Sequence, residues 1–381
     1  MEKCKLGDIC EIVSGSTPKT TTEDGDVKWI TPAELNENVY IINDSVRKIT
    51  KLAVEKTGLS SFPEGTVILS TRAPIGKVAI AGCEMYCNQG FKNLICSEKI
   101  FNKYLYWFLK GNTMFLNSLG RGATFKEISK AIVSEIEINV PEIEEQHEIV
   151  KILEKVNTII RFRKQELSVL DTLVKARFVE MFENKTEYDQ FRLEEIADIV
   201  SGITKGRKTK CGELREVPYM AVSNVKDGYI DWTTVKTILA TEDEIIQYKL
   251  LPDDVLMTEG GDPDKLGRGA IISLPPKDCI HQNHIFRVRL DETRILPRYF
   301  SAYLQSPQAK TYFLRAAKQT TGIASINMRQ LRGLPTIVPP IEQQLKYVSF
   351  SEQVDKSKVK VQKALDETQK LFDSLMQQYF G

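Results

Sequence analysis

The chain has 381 residues, with 52 Lys+Arg against 51 Asp+Glu and a formal net charge of +1. That length accommodates two or three domains with sizeable cores, and 42% hydrophobic with 27% charged residues is ordinary globular composition. No run approaches the roughly 18 apolar residues of a membrane span. No apolar signal-peptide core follows Met1-Glu2-Lys3-Cys4-Lys5. The seven cysteines (Cys4, Cys10, Cys83, Cys87, Cys96, Cys211, Cys279) lack framework spacing, so a reducing, cytoplasmic setting is expected. A chain that holds nucleic acid alone usually carries a basic surplus. Near neutrality therefore requires basic residues segregated onto one face, or a partner that supplies charge.

The first predicted element places Leu6, Ile9, Cys10 and Val13 at helical spacing, ending before Ser14-Gly15, where glycine is expected to close the helix in the left-handed conformation. A polar loop, Ser16-Thr17-Pro18-Lys19, leads to short β-type runs at Trp29-Ile30-Thr31 and Thr66–Ser70. The loop Thr71-Arg72-Ala73-Pro74-Ile75-Gly76-Lys77 returns into Val78-Ala79-Ile80, and a helix anchored by Phe101, Tyr104, Leu105, Phe108 and Leu109 follows. Then Val140-Pro141-Glu142-Ile143-Glu144-Glu145-Gln146 opens a long helical pattern.

The same order then repeats. Glu11-Ile12-Val13-Ser14-Gly15 returns as Asp198-Ile199-Val200-Ser201-Gly202, 187 positions later. Leu193, Ile196, Ala197 and Val200 repeat the helical spacing, and Thr204-Lys205-Gly206-Arg207-Lys208 repeats the polar loop. Strands are predicted at Tyr219-Met220-Ala221 and Asp254–Thr258, and the loop Glu259–Gly269 returns into Ala270-Ile271-Ile272. Leu296, Tyr299, Phe300, Tyr303 and Leu304 repeat the aromatic helix, and Val338-Pro339-Pro340-Ile341-Glu342-Gln343-Gln344 closes the copy, 198 positions after its counterpart. A period this long marks two whole domains rather than a solenoid.

The patterns after the closing marks are the most regular. One seven-residue register runs through Ile149, Leu153, Val156, Ile160, Leu167, Leu170, Val174 and Met181, interrupted by Arg163 and Arg177. The other runs through Val354, Val361, Leu365, Phe372, Leu375 and Tyr379, interrupted by Lys358 and Thr368. Sustained a/d positions predict a coiled coil. A helix of about 40 residues spans roughly 60 Å. Short connections require an antiparallel pairing, with a head at each end of the rod. The expected fold is α+β: two mixed α/β domains (1–140 and 184–338) alternating with two long helices (141–183 and 339–381) paired as an antiparallel coiled coil, a pseudo-two-fold repeat. Arg163 and Arg177 are read as snorkelling to water at the rod edge, or as marks of a partner's docking site.

Taken together, these segments resemble the specificity (S) subunit of type I restriction-modification systems. The residues that carry the resemblance are Leu6-Gly7-Asp8-Ile9 and Leu193-Glu194-Glu195-Ile196 with their Val-Ser-Gly endings, Ser70–Lys77, Asn88-Gln89-Gly90-Phe91, Glu259-Gly260-Gly261-Asp262, the Pro-x-Ile-Glu-x-Gln closers and Leu371-Phe372-Asp373-Ser374-Leu375. The resemblance covers essentially the whole chain. It implies two target-recognition domains that read a bipartite, asymmetric site in double-stranded DNA, with the helices as a ruler for the spacer. It also implies that the chain catalyses nothing and binds no cofactor. Two methyltransferase subunits would use S-adenosylmethionine to methylate adenine, and a motor-nuclease restriction subunit, where a system has one, would use ATP and magnesium.

Base edges are read by Arg, Lys, Asn or Gln on a rigid scaffold, and phosphates are held by cations and small hydroxyls. Candidates in the first copy are Lys19, Thr71, Arg72, Lys77, Asn88, Gln89, Arg121, Thr124 and Lys126. In the second they are Lys205, Arg207, Lys208, Ser223, Asn224, Lys265, Arg268, Gln282, Asn283, Thr320, Thr321 and Ser325. All lie on Gly- or Pro-punctuated loops or strand ends. Arg72 and Arg268 are the preferred base readers and Arg207 the preferred phosphate contact, while Gln89 and Gln282 also suit a bond to turn backbone. For every candidate the plain alternative is a solvated surface side chain. Gly76, Gly260, Gly261 and Gly267 are expected to serve backbone geometry.

Catalytic constellations are missing from the sequence: there is no G-x-x-x-x-G-K-[ST] loop and no Asn- or Asp-Pro-Pro-aromatic tetrapeptide. Cys279-x-His281-x-x-His284 lacks a fourth zinc ligand at sensible spacing, so no metal is expected and a strand edge is the plainer reading. A competing class is a non-catalytic coiled-coil scaffold with two protein-binding heads and no nucleic-acid role, which would explain the neutral charge directly.

Overall fold

The structure, a computed structural model, describes residues 2–18, 25–36, 39–72, 74–122, 126–183, 185, 187–207, 213–261, 266–320 and 323–381. Two compact units form: Met1–Gln165 with Gln362–Gly381, and Glu166–Val361. The division crosses both long helices, so each unit is a head together with a stretch of each.

In the first unit an antiparallel sheet runs in the order Cys10–Ser14, Phe91–Cys96, Val67–Ser70, Val78–Ala81, with Ile41–Ile42 added in parallel at the edge. The second unit builds the same order from Ala197–Ser201, Ile285–Leu290, Val255–Thr258 and Gly269–Ile271. The two central runs, Val67–Ser70 and Val255–Thr258, are buried at every residue. A strand covered on both faces reads as a continuous apolar run, which is why the sequence shows these two so plainly. Each head also has a smaller sheet, centred on Val27–Ile30 or Arg215–Met220, and a two-stranded pair, Glu2–Lys5 with Glu137–Val140 or Asp189–Arg192 with Pro335–Val338.

The openers differ from the expected helices. Helical backbone covers only Leu6–Ile9, then Cys10–Ser14 is a strand. In the second unit a single 3-10 turn, Leu193–Glu195, precedes the strand Ala197–Ser201. Cross-strand pairing of Val13 with Asn93, and of Val200 with Arg287, overrides the helical spacing. Gly15 and Gly202 are therefore not left-handed helix caps. A Cβ on Gly15 would overlap the Asn88 carbonyl oxygen, and one on Gly202 the His281 carbonyl oxygen. Close approach of two backbones, rather than positive φ, requires glycine there.

The aromatic helices form as expected, at Asn102–Gly111 and Pro297–Leu304. Tyr104 donates its buried hydroxyl to the Asn139 carbonyl (2.9 Å), and Tyr299 donates to that of Ile337 (3.0 Å). The closing motifs owe their glutamine to a latch. Gln146, fully buried, accepts from the Phe101 amide (2.8 Å) and donates to the carbonyls of Lys99 and Pro141 (2.9 Å each). Gln344 repeats this with the Leu296 amide (2.8 Å) and the carbonyls of Arg294 (2.9 Å) and Pro339 (2.7 Å). Three satisfied bonds let a fully buried amide lock the start of each long helix onto its head.

Both long helices, Ile143–Phe182 and Ile341–Phe380, have 40 residues. Ile149, Leu153, Val156 and Ile160 are buried in the first unit, where Leu365 is also buried and Phe372 and Leu375 are half-buried. Phe372 meets Trp107 edge-on at 5.6 Å between centroids, and Phe380 lies 5.1 Å from Tyr104. In the second unit Val354 is buried, and Leu167, Leu170, Val174 and Val361 are half-buried. There Asp171 pairs with Lys358 (2.6 Å), Arg177 lies over Phe350 (5.7 Å), and Phe182 contacts Tyr347 (5.7 Å). As one number rises the other falls, so the helices run antiparallel. The Arg163 guanidinium does not snorkel to water: it donates to the Ala364 carbonyl and to Thr368 Oγ1 (2.8 Å). Arg177 stacks on Phe350 and pairs with Glu180 at 2.7 Å.

Candidate nucleic-acid interface

Three backbone pieces meet beyond the central strand of each head, joined by the same hydrogen bonds. In the first head the Thr71 amide donates to the Gly90 carbonyl (2.7 Å), the Ile128 amide donates to the Thr71 carbonyl (2.9 Å), and Glu127 bridges both Arg72 and Arg121. In the second, the Glu259 amide donates to the His284 carbonyl (3.0 Å), the Ile326 amide donates to the Glu259 carbonyl (2.8 Å), and Gly260 pairs with Ser325. The bonds that close the following loops also correspond. The Ser70 amide donates to the Lys77 carbonyl (2.8 Å) and the Thr258 amide to that of Arg268 (3.5 Å), after Gly76 and Gly267 at φ 91° and 71°. Glycine is needed at these two positions because L side chains disfavour that region.

The frame is common to both heads; the side chains on it are not. In the first head Arg72 Nη2 lies 2.9 Å from Glu127 Oε2, and Lys92 Nζ lies 3.6 Å from the other carboxylate oxygen. Two cations on one carboxylate leave this centre net positive. Burial holds the Lys92 ammonium below its usual pKa, while Glu127 pulls the other way. Arg72 remains 43% exposed, so its fork is fixed in direction but open to solvent. In the second head Glu259 stands where Thr71 does and Gly260 where Arg72 does. The His284 Nδ1 lies 2.5 Å from Glu259 Oε2. A carboxylate only accepts, so the ring nitrogen is the donor.

The remaining candidates divide by what already holds them. Thr71 is fully buried, with its hydroxyl on the Gly90 carbonyl (3.2 Å). Asn224 is fully buried and bonds the Ala221 amide, the Asp231 carbonyl and Thr234. Lys77 donates to the Pro32 carbonyl (3.1 Å), and Asn88 accepts from the Gly90 amide (2.9 Å) as a turn residue. Gln282 accepts from the Val222 amide (3.3 Å). Arg207 forks onto Glu244, with Nε at 2.7 Å from Oε1, and donates to the Leu239 carbonyl (3.2 Å). That fork holds the Glu244 carboxyl below the usual range and raises the guanidinium.

Exposed at the rim are Gln89, which bonds Thr17, together with Arg121, Lys126, Lys205 and Ser223. Asn283, half-buried, places its amide 3.4 Å from His284 Nε2. Ser325 is half-buried on the hairpin, and Thr320 contributes backbone to the same hairpin. Arg268 is half-buried, with its Nε enclosed and unpartnered among the described residues. Lys19, Thr124, Lys208, Lys265 and Thr321 lie outside the described residues.

Sequence reading missed Glu127, Lys92 and Glu259 as members of these centres. Their separation of 55 positions hides the pairing of Arg72 and Glu127 from any local pattern. The Cys279/His281/His284 spacing dissolves into separate environments. Cys279 and His281 are fully buried, and the His281 nitrogens face the carbonyls of Tyr248 (3.0 Å) and Val200 (3.3 Å).

Residues 1–172 and 185–368 match the type I restriction modification DNA specificity domain. The chain belongs to this family. Over 224 residues it is 36% identical to the type I restriction enzyme MjaIX specificity subunit of Methanocaldococcus jannaschii, a match that covers 56% of the chain and 51% of that relative. Over 351 residues it is 24% identical to the EcoKI specificity subunit of Escherichia coli, covering 84% of the chain and 74% of the relative. It thus spans about half the length of the first relative and about three quarters of the second. The fold is shared with the S subunit of the type I restriction-modification system from M. genitalium (15% identity, TM-score 0.57, 100% and 96% coverage). It is also shared with a chain of the structure described as "Structural basis underlying complex assembly and conformational transition of the type I R-M system" (17% identity, TM-score 0.64, 100% and 97% coverage).

Proposed function

We infer that this chain is the non-catalytic DNA-recognition subunit of a type I restriction-modification assembly, in which each head reads one half of a bipartite site. The observation that carries this reading is the frame built twice with identical backbone bonds and different polar side chains. A duplicated enzyme would be expected to repeat its chemistry; a reader of two unlike half-sites must repeat its scaffold and vary its tips.

Partners follow from the same reading. Two methyltransferase subunits supply adenine methylation with S-adenosylmethionine, and a restriction subunit, where the system has one, supplies ATP- and magnesium-dependent cutting. The first long helix offers them apolar surface: Ile152, Ile159 and Phe162 are 40%, 37% and 58% exposed in the first unit, and Val169 and Leu173 are 57% and 44% exposed in the second. The helices, equal at 40 residues, suit the part that sets a fixed spacer. No helix among the described residues is long and apolar enough to cross a membrane, and a cytoplasmic location is part of the proposal.

The decisive experiment is base-resolution adenine methylation in a host that expresses the methyltransferase subunit with or without this chain. A split motif that appears only with the chain is the expected result. Methylation unchanged by the chain, together with no gel shift of genomic fragments by the complex, favours the protein-binding scaffold instead.

A further inference from the structure

We propose that Glu259 is a base-reading residue of the second head, its carboxylate accepting a hydrogen bond from the exocyclic amine of a cytosine, with His284 as the residue that positions it. The inference rests on the DNA-recognition reading above. Its ground is what stands at matching points of the shared frame. At the Thr71 position of the first head the hydroxyl is fully buried and returns to the Gly90 carbonyl, so nothing projects. On the same backbone bonds, the second head presents a carboxylate on a side chain 36% exposed, gripped by the ring of a His284 side chain 55% exposed. The next residue, Gly260, carries no side chain to cover it, and a Cβ there would press on the Ala324 carbonyl oxygen at 3.0 Å and Ser325 Cβ at 3.1 Å.

An exposed carboxylate on a face that meets phosphates is repelled, so it weakens non-specific binding. It is rewarded only where a donor waits. In the major groove the donors are exocyclic amines, and a carboxylate is the usual acceptor for cytosine N4. Among the described residues the ion-pair partner of Glu259 is His284, not a Lys or Arg. One carboxylate oxygen faces that ring, and the other is the one assigned to the base. The first head does the reverse: Glu127 holds two cations, the solvent-open Arg72 and the buried Lys92.

The test uses the full chain co-expressed with its methyltransferase subunits and reads the methylome at base resolution. Glu259→Gln keeps the shape and the acceptor towards His284 but adds a donor that suits adenine. It is expected to lower preference for cytosine at one position of one half-site by roughly five- to 150-fold, raise acceptance of adenine there, and leave the other half-site unchanged. His284→Ala is expected to relax the same position by less. Thermal unfolding of both variants separates reading from folding. A motif identical to wild type in both variants overturns the proposal, as does a fall in stability with base preference intact, which would make the pair a loop latch. If the wild-type assembly produces no split motif at all, the DNA-recognition reading itself fails and this proposal falls with it.

Discussion

The first head gathers Arg72 and Lys92 around Glu127, whereas the second holds Glu259 with His284, although the backbone bonds made by Thr71 and by Glu259 correspond. The difference shows which interactions a duplicated domain must keep. The frame is tied by backbone amides and carbonyls, by two buried tyrosine hydroxyls and by the latch glutamines Gln146 and Gln344. None of these depends on the side chains at the loop tips. Buried polar bonds are costly to leave unmade, so they persist, while exposed rim residues can change with little effect on stability.

The comparison breaks most readily at the two close-approach glycines. Gly15→Ala and Gly202→Ala each drive a Cβ into a backbone carbonyl oxygen, and each is expected to destabilise its own head by about 3 kcal/mol or more. Head-resolved hydrogen exchange on the full chain should show equal losses if the frame is truly common.

The next effect separates the heads by pH. Burial pushes the His281 pKa down to about 4, while the two facing carbonyls favour the protonated ring and only partly offset that burial. Unfolded, the ring takes its proton near 6.5. Between those values the unfolded state binds more protons, so stability of the second head is full above about pH 6.5 and falls as pH drops towards 4, by on the order of 3 kcal/mol. The first head has Cys87 at the equivalent place, pushed up to about 12 by burial and neutral throughout this window. Exchange protection of Ile280–His281 compared with Tyr86–Cys87 between pH 7 and 4.5 measures the contrast.

Smaller effects sharpen the division of labour. Arg72→Ala is expected to relax one half-site by roughly 1–3 kcal/mol of discrimination and to spare the other, as read in the methylome. Arg207→Ala is expected to cost the second head roughly 1 kcal/mol by leaving Glu244 without its fork. A salt slope for DNA binding reduced by about one would add a phosphate contact, and an unchanged slope would assign Arg207 to the fold alone. Smallest is Arg163→Leu, which exchanges bonds to Ala364 and Thr368 for apolar seam contact and should shift stability by less than about 1 kcal/mol. Undiminished capture of the methyltransferase subunit would exclude Arg163 as a docking contact.

Much of the fold was legible because its strongest signals are local. The period of the seam, the continuous apolar runs of the central strands and the doubled closers all survive in a one-dimensional reading. The openers misled because Leu6, Ile9, Cys10 and Val13 fit a helical period while Cys10–Ser14 satisfies its backbone on Phe91–Cys96, some 80 residues away. The candidate interface was legible as loops but not as centres. Thr71 and Asn224 look like available polar groups in sequence, yet both are fully buried and hydrogen-bonded within the fold.

By itself the sequence determined the repeat, the two long helices of equal length and the family, because these rest on periodicity and order along the chain. Only the tertiary structure decided which side chains share a centre. That choice depends on strand register and on hydrogen bonds between residues 25 to 55 positions apart, as in Glu259 with His284 and Arg72 with Glu127. Charge pairing acts over a few ångströms of space, whatever the distance along the chain.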